Sequence, residues 1–192
     1  HGVLDYYDKR HPVPFAEYMP ARPFFRLLAP DLVDLVSRDY SAGTTDAVFD
    51  INGVIAGISI CFDITDDAAI QLMLDQGAQV ILAQTNNADF GKTDENLQQL
   101  AIARLRAIET GRSVVNISTV GHSAIFAPDG STITALPPYE AGAMVANVPL
   151  AVTPTPATLL GKGIELVVSG LGLAGFIVVL TVNTPRRRRG AK

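Results

Sequence analysis

Apolar and polar positions along the chain change between a strand-like and a helix-like spacing. Asn52 and Gly53 lie between two β-favouring runs in AVFDINGVIAGISIC, the pairing most typical of a tight β-hairpin. Helices are predicted in TDDAAIQLMLDQGA, which Thr65 or Asp66 can cap and Gly77 ends, and in DENLQQLAIARLRAIETG, where leucines recur at helical spacing. Further strands are predicted at QVILAQTN, RSVVNIST, HSAIFA, STITAL and AGAMVANVPL. This order predicts an α/β domain in which helices cover a sheet.

The two ends of the chain differ from this pattern. Residues 1–46 are rich in proline, aromatic and charged residues and predict an irregular region with a short helix in RPFFRLLAPDLVDLV. Residues 150–163 have the composition of a linker, which leaves a predicted domain of residues 1–149. Residues 164–183 are then almost entirely apolar, and Leu166 to Val182 contains no charge over 17 residues, near the lower limit for crossing a bilayer.

The last segment, 184–192, favours a transmembrane helix over the alternative of a buried core helix. It contains four consecutive arginines, Arg186 to Arg189, and such clusters mark the cytoplasmic flank of a membrane span. The prediction is therefore a single C-terminal transmembrane helix with a basic cytoplasmic tail. Residues 1–149 would lie outside the cytoplasm.

Charge and composition exclude several classes of function. The net charge is −4, but residues 1–185 contain ten basic and nineteen acidic residues, a net charge of −9, so the body of the chain is a poor nucleic-acid binder. The three histidines show no metal-ligand spacing, and neither a metal nor a cofactor is expected. The chain begins with His1 in mid-pattern, which we interpret as a part of a longer protein.

Two stretches contain the residues that could perform chemistry. Cys61, the only cysteine, ends the strand-like run GISIC and precedes an acidic turn, where it is either a buried core thiol or a nucleophile at a strand end. Lys9 and Glu17 lie in YDKRHPVPFAEYMP, whose prolines stiffen the backbone and could hold the two side chains in a fixed relation. The alternative is a lysine and a glutamate on the surface beside rigid turns.

Three motifs together resemble one family. YDKRHPVPFAEYMP, GISICFD and TNNADFG occur in the order and approximate spacing of the carbon–nitrogen hydrolase (nitrilase) superfamily, which uses a Glu–Lys–Cys triad. With an apolar helix directly after the domain, the chain looks most like the apolipoprotein N-acyltransferases of that superfamily. The resemblance implies part of a layered α-β-β-α sandwich.

By position, the resemblance implies that Cys61 is the nucleophile, that Lys9 stabilises the oxyanion and that Glu17 is the additional glutamate supporting the site. The general-base glutamate of the triad lies upstream of the lysine in this family and has no counterpart here, so the chain as given is expected to be inactive alone. Substrate-binding positions implied by the motifs are Phe62, Asp63, Asn86, Asn87, Asp89 and Phe90.

Some of these positions depart from the family pattern. The acyltransferases commonly have Tyr-Glu after the cysteine where this chain has Phe62 and Asp63, and a tryptophan is usual where it has Asp89.

The activity implied is N-acylation of the N-terminal lipid-modified cysteine of lipoproteins at the outer face of the bacterial cytoplasmic membrane. A phospholipid would donate the acyl chain to Cys61 as a thioester, and a diacylglyceryl-modified apolipoprotein would accept it. Two alternatives remain open at this point: a membrane-anchored extracytoplasmic amidase of the same superfamily, and a non-catalytic relative that kept the fold.

Overall fold

The computed structural model describes residues 6–183, apart from the side chains of Asp89 and Asn183. The chain forms two compact units, His1–Thr155 and Pro156–Lys192. The predicted basic tail, residues 184–192, lies outside the described residues. The helices are α1 (Arg22–Leu28), α2 (Pro30–Leu35), α3 (Asp67–Asp75), α4 (Glu95–Thr110), α5 (Pro156–Leu160) and α6 (Lys162–Asn183). The strands are β1 (Val48–Ile51), β2 (Val54–Ile60), β3 (Val80–Thr85), β4 (Ser113–Ser118), β5 (Ala124–Phe126) and β6 (Thr132–Ala135).

Within residues 6–183, six strands form one mixed sheet in the order β1-β2-β3-β4-β5-β6. The central pairs β2–β3 and β3–β4 are parallel, whereas β1–β2, β4–β5 and β5–β6 are antiparallel. Parallel neighbours need a crossover connection, and α3 and α4 supply one each. The predicted α/β class is therefore confirmed.

The predicted hairpin at Asn52 and Gly53 is present and determines where β2 begins. Both residues have positive φ angles, 54° and 87°, as a two-residue turn that follows the strand twist requires. The turn pairs Ile51 with Val54, and the antiparallel register continues to Val48 opposite Gly57.

Helices α3 and α4 cover one face of the sheet. Asp66 caps α3, as the sequence predicts, by accepting hydrogen bonds from the backbone N–H groups of Ala68 (2.7 Å) and Ala69 (3.1 Å). The core between the helices and the sheet contains Ile64, Ile70, Met73, Ile81, Ala103, Ala107, Val114 and Phe126. A smaller cluster on the opposite face is built on Ala56, Ile58 and Val80.

The buried face of α4 is not the one that its leucines suggest. Leu97, Leu105 and Ile108 are exposed, and the buried positions are Asn96, Ala103, Arg106, Ala107 and Thr110. Small residues bring the helix axis close to the sheet, and the polar ones are buried because they find hydrogen-bond partners there.

Two other parts of the first unit differ from expectation. The predicted strand AGAMVANVPL, residues 141–150, is wrong: this segment has no regular secondary structure and makes isolated contacts, such as Ser113 Oγ donating to the Pro149 carbonyl (2.8 Å). The predicted short helix near residue 30 is two helices, α1 and α2, because Pro30 has no N–H to continue α1 and opens α2.

The second unit consists of α5 and α6. Its apolar segment Lys162–Val182 is long and apolar enough to cross a membrane. The most apolar window of this segment has a mean hydropathy of 2.2, and none of that window is buried in the structure. At 22 residues, α6 is about 33 Å long. The short helix α5 lies within the segment predicted as a linker.

Candidate active site

Three strand ends meet at one edge of the sheet. Because β2, β3 and β4 are parallel and in register, the residues after each strand lie side by side: Cys61 after β2, Asn86 and Asn87 after β3, and Thr119 after β4. In open α/β sheets this edge is where ligands bind. Thr119 Oγ1 donates to Asn86 Oδ1 (2.7 Å), which connects two of the three loops directly.

Cys61 is the first residue of a short 3₁₀ helix, Cys61–Thr65, which follows β2 directly. Its φ of 53° is left-handed, a conformation that costs a residue with a Cβ about 1–2 kcal/mol. The side chain is partly exposed and is not a member of the buried core. A cysteine that is only partly buried, in a strained turn at a strand end, occupies the kind of position in which reactive thiols are found.

The turn after Cys61 is fixed by a buried carboxylate. Asp63 is completely buried, and its Oδ2 accepts hydrogen bonds from Tyr7 Oη (3.0 Å) and the Ile60 N–H (3.2 Å). Its Oδ1 has no hydrogen-bond partner among the described residues. Burial raises the pKa of Asp63, while the Ile60 N–H, the Tyr7 hydroxyl and the charge of Lys9 act to lower it.

The pKa of Tyr7 is raised as well. Its own burial and the neighbouring charge of Asp63 raise the pKa of Tyr7 far above its ordinary value. Tyr7 therefore keeps its proton and remains a hydrogen-bond donor to Asp63 over the physiological pH range.

Lys9 and Glu17, predicted to stand in a fixed relation, form an ion pair. Lys9 Nζ donates to Glu17 Oε2 at 2.6 Å, and the side chains are only 11% and 23% exposed. The same Glu17 oxygen accepts the Val13 N–H (2.8 Å), so the loop that contains Glu17 closes onto its own carboxylate. The pair is thus held by the backbone as well as by charge, as the prediction of a fixed relation between the two side chains requires.

Phe62 is on the exposed part of the turn, whereas its neighbour Asp63 is buried. It is 45% exposed and lines a cleft of about 530 Å³. The other lining residues include Arg10, His11, Tyr18, Tyr40 and Asp66. His11 Nδ1 lies 2.8 Å from Asp66 Oδ2, so the wall of this cleft is joined to the N-terminus of α3.

The residues of the TNNADFG motif are distributed between buried and exposed positions. Asn87 is buried, Asn86 is exposed and also accepts the Ala88 N–H (3.2 Å), and Phe90 is 40% exposed. The side chain of Asp89 lies outside the described part of the structure. Among the described residues there is no group of three or more His, Cys, Asp or Glu side chains that could hold a metal ion.

Residues 2–155 match the family model of the carbon–nitrogen hydrolases. The chain belongs to the carbon–nitrogen hydrolase family. The family and the nitrilase-like α/β fold expected from the three motifs are therefore confirmed, and the motifs supply the loops at the edge of this carbon–nitrogen hydrolase sheet.

Two curated relatives of this carbon–nitrogen hydrolase chain have the same name. The chain is 35% identical over 195 residues to the apolipoprotein N-acyltransferase of Mycolicibacterium smegmatis, with 99% of this chain and 32% of that protein covered. It is 30% identical over 176 residues to the apolipoprotein N-acyltransferase of Shewanella oneidensis, with 89% and 33% covered. The chain thus spans about a third of the length of these relatives. Among solved structures, a nitrilase-superfamily amidase from Nesterenkonia matches with 20% identity and a TM-score of 0.45 over 55% of this chain and 42% of that chain.

Three residues of this carbon–nitrogen hydrolase site are missing from the sequence prediction. Tyr7 bonds to Asp63, Gln99 contacts Cys61, and Arg106 binds the carbonyls of the turn after Cys61. A signal for two of them is present in the sequence. Gln99 and Arg106 lie at helical spacing with Ala103, Ala107 and Thr110, so a stripe of small and polar residues, rather than the leucines, marks the face of α4 toward the site.

Proposed function

We propose that this protein transfers an acyl chain from a phospholipid to the N-terminal, diacylglyceryl-modified cysteine of apolipoproteins. The observation that supports this most directly is the extent of the similarity. The carbon–nitrogen hydrolase match ends at residue 155, whereas the similarity to the acyltransferase of Mycolicibacterium smegmatis covers 99% of the chain and so extends into the apolar helix α6. An amidase acting on soluble substrates has no use for that helix.

The proposed chemistry consists of two transfers through Cys61. The thiolate attacks the ester carbonyl carbon of the phospholipid, and the ester C–O bond breaks. The leaving oxygen takes a proton and departs as the hydroxyl of a lysophospholipid, while the acyl chain remains on Cys61 as a thioester. The α-amino nitrogen of the acceptor then attacks the thioester, the C–S bond breaks, and an amide and the thiolate result. The family resemblance implies that a glutamate upstream of Lys9 takes and returns the proton. Two half-reactions through one covalent intermediate require a ping-pong order.

The ion pair gives Lys9 and Glu17 distinct roles in this scheme. A negative charge develops on the carbonyl oxygen in each tetrahedral intermediate, and a preorganised cation stabilises it most effectively in a partly desolvated position. Lys9 is such a cation, and Glu17 holds it by a hydrogen bond of 2.6 Å. We assign oxyanion stabilisation to Lys9 and its orientation to Glu17.

The loops around Cys61 are proposed to contact the substrates. Phe62 borders the cleft next to Cys61, and the exposed Asn86 and Phe90 border the neighbouring strand end. Asp63 and Asn87 are buried and are proposed to shape these loops from below. We include Asp89 because it belongs to the same motif.

Both substrates are membrane lipids, and two features support a membrane location. Helix α6 is proposed as a transmembrane helix over residues 164–183, with the arginines of residues 184–192 on the cytoplasmic side and residues 1–149 outside the cytoplasm. In the first unit, α1 and α2 expose large apolar side chains: Phe24, Leu27, Leu28, Leu32 and Leu35. Such a patch is typical of a surface that contacts lipid or another apolar partner.

The test uses the full-length protein, incubated with phospholipid vesicles and examined by intact mass. We expect an acyl adduct on the peptide containing Cys61, absent in Cys61→Ala and reduced in Lys9→Ala. Lys92→Ala is the matched control, because Lys92 is exposed and lies over the Tyr139 ring instead of in an ion pair.

Two outcomes would contradict the proposal. A full-length protein that never gains an acyl group but hydrolyses small amides would be the extracytoplasmic amidase. Equal behaviour of wild type and Cys61→Ala in both assays would indicate a non-catalytic relative.

A further inference from the structure

Gln99 contacts the sulfur of Cys61 from the first turns of α4. Its Nε2 lies 4.0 Å from Cys61 Sγ, at the long end of the range for an N–H···S contact. Its Oε1 lies 3.0 Å from Thr85 Oγ1 at the end of β3, and the side chain is half-buried. The amide therefore bridges two of the strand ends that form the site.

The hydrogen bonds of Thr85 limit how the Gln99 amide can be oriented. Thr85 Oγ1 lies between two amide groups, 2.9 Å from Asn87 Oδ1 and 3.0 Å from Gln99 Oε1. A hydroxyl has one proton and cannot donate to both oxygens. One of the two amides must therefore be turned over so that its nitrogen donates to Thr85.

Each choice presents a different group to Cys61. If the Asn87 amide is turned, Thr85 donates to Gln99 Oε1 and the Gln99 N–H faces the sulfur. If the Gln99 amide is turned, its oxygen faces the sulfur and can only accept a proton from a thiol. A thiolate has no proton to donate and needs donors, so only the first arrangement suits the ionised nucleophile.

We propose that Gln99 is a positioning residue that donates its Nε2–H to the Cys61 thiolate, with Thr85 holding the amide in the donating orientation. The inference rests on the proposed role of Cys61 as the nucleophile. It gives the thiolate a neutral donor on the α4 side. The donor also restricts the rotation of Sγ, which directs the attack.

The neighbouring residue Gln98 provides a matched control. It has the same side chain on the same helix, one position away, and is exposed. Substitutions at Gln98 change the composition and helix propensity of α4 as those at Gln99 do, without a contact to sulfur.

The experiment measures alkylation of Cys61 by iodoacetamide in the detergent-solubilised full-length protein, followed by mass spectrometry of the peptide that contains it. Gln99→Met keeps the size and removes the donor, and Gln99→Glu replaces the amide by a carboxylate of the same shape. A hydrogen bond to a charged group increases the fraction of thiolate about tenfold or more, so its loss in the variant lowers the alkylation rate. The more basic thiolate of the variant is a better nucleophile, which offsets part of this loss. At neutral pH we therefore expect Gln99→Met to react about threefold to tenfold more slowly, and Gln99→Glu at least as slowly.

Three comparisons separate this effect from a structural one. Gln98→Met and Gln98→Glu should stay within about twofold of wild type, as exposed substitutions do. At a pH high enough to ionise the thiol fully, Gln99→Met should react at least as fast as wild type, because its more basic thiolate is the better nucleophile, whereas a blocked or displaced sulfur would stay slow there. Thr85→Val, which removes the hydroxyl and keeps the shape, should reproduce part of the Gln99→Met effect.

The outcome does not depend on the acyl-transfer assay. If alkylation at neutral pH is equal in wild type, Gln99→Met and Gln99→Glu, the inference is wrong even where the protein acquires an acyl group. If the expected order of rates is found but no acyl adduct ever forms, the positioning role of Gln99 is supported and the proposed function fails.

Discussion

Arg106 holds the turn after Cys61 in place, and its replacement by lysine is a demanding test of this part of the structure. Its guanidinium donates from Nε to the Ile64 carbonyl (2.9 Å) and from Nη2 to the Thr65 carbonyl (2.9 Å). It also forms ion pairs with Asp67 (2.7 Å) and Glu109 (2.6 Å), and its side chain is only 9% exposed. These four bonds are made by all three nitrogens of the planar guanidinium group.

Lysine keeps the positive charge but cannot reproduce this pattern. Its three donors are on one nitrogen, so a lysine that keeps a carboxylate partner loses the two carbonyl bonds of the turn. Hydrogen bonds to charged groups contribute about 1.5 kcal/mol each at the lower end of the usual range, so losing two costs about 3 kcal/mol. For the local opening of the turn, that cost corresponds to a change of about a hundredfold.

The assay is hydrogen–deuterium exchange of the full-length protein, followed on peptides that cover Cys61–Thr65. Arg106→Lys should accelerate exchange in this turn by about a hundredfold. Arg104→Lys is the control, because Arg104 is exposed on the same helix and makes one carbonyl bond, to Gly130 (2.7 Å). That variant should lose about 1 kcal/mol near Gly130 and leave the turn unchanged. Equal exchange of the turn in the two variants would refute the role assigned to Arg106.

Three further predictions concern the same unit. Burial raises the pKa of Asp63, so the folded protein binds that proton more tightly than the unfolded chain, and stability falls as the pH rises through the folded-state pKa. Asp63→Asn should therefore raise the melting temperature above that pKa and lose this advantage below it. A gain in melting temperature that does not depend on pH would contradict the reasoning. Gly57→Ala should destabilise by about 1 kcal/mol in urea unfolding, since its Cβ would lie 3.1 Å from Met73 Sδ; an unchanged midpoint would show that Met73 moves freely. Glu17→Gln should slow acyl-adduct formation about tenfold, because it replaces a charge-assisted hydrogen bond to Lys9 with a weaker one. A rate equal to that of wild type would show that Glu17 does not orient Lys9.

Local signals in the sequence predicted most elements of the fold. Asn52 and Gly53 specify their turn because few other pairs accept positive φ at two successive positions, and Asp66 caps α3 with its own side chain. These interactions involve residues within about three positions of each other, so a single sequence contains all of their partners. The same locality explains the error at residues 141–150. Apolar alternation there matches a strand, but whether a strand forms depends on a free neighbour in the sheet.

The contacts of the candidate site are of another kind. Tyr7 and Asp63 are 56 positions apart, Cys61 and Gln99 are 38 apart, and Arg106 reaches Ile64 across 42. No local propensity encodes such pairs, because each exists only once the parallel strands bring their carboxyl ends to one edge. Only the motif resemblance indicated that Lys9, Glu17 and Cys61 belong together.

The sequence by itself determined the α/β order of elements, the hairpin before Cys61, the cap of α3, the apolar C-terminal segment and, through its motifs, the family. The tertiary structure decided which face of α4 is buried and that the Lys9–Glu17 pair is desolvated. It also decided that Cys61 lies in a left-handed turn between Asp63 and Gln99. The physical reason is that turns, caps and periodicity depend on neighbouring residues. Burial and long-range hydrogen bonds depend on which elements the folded chain brings together.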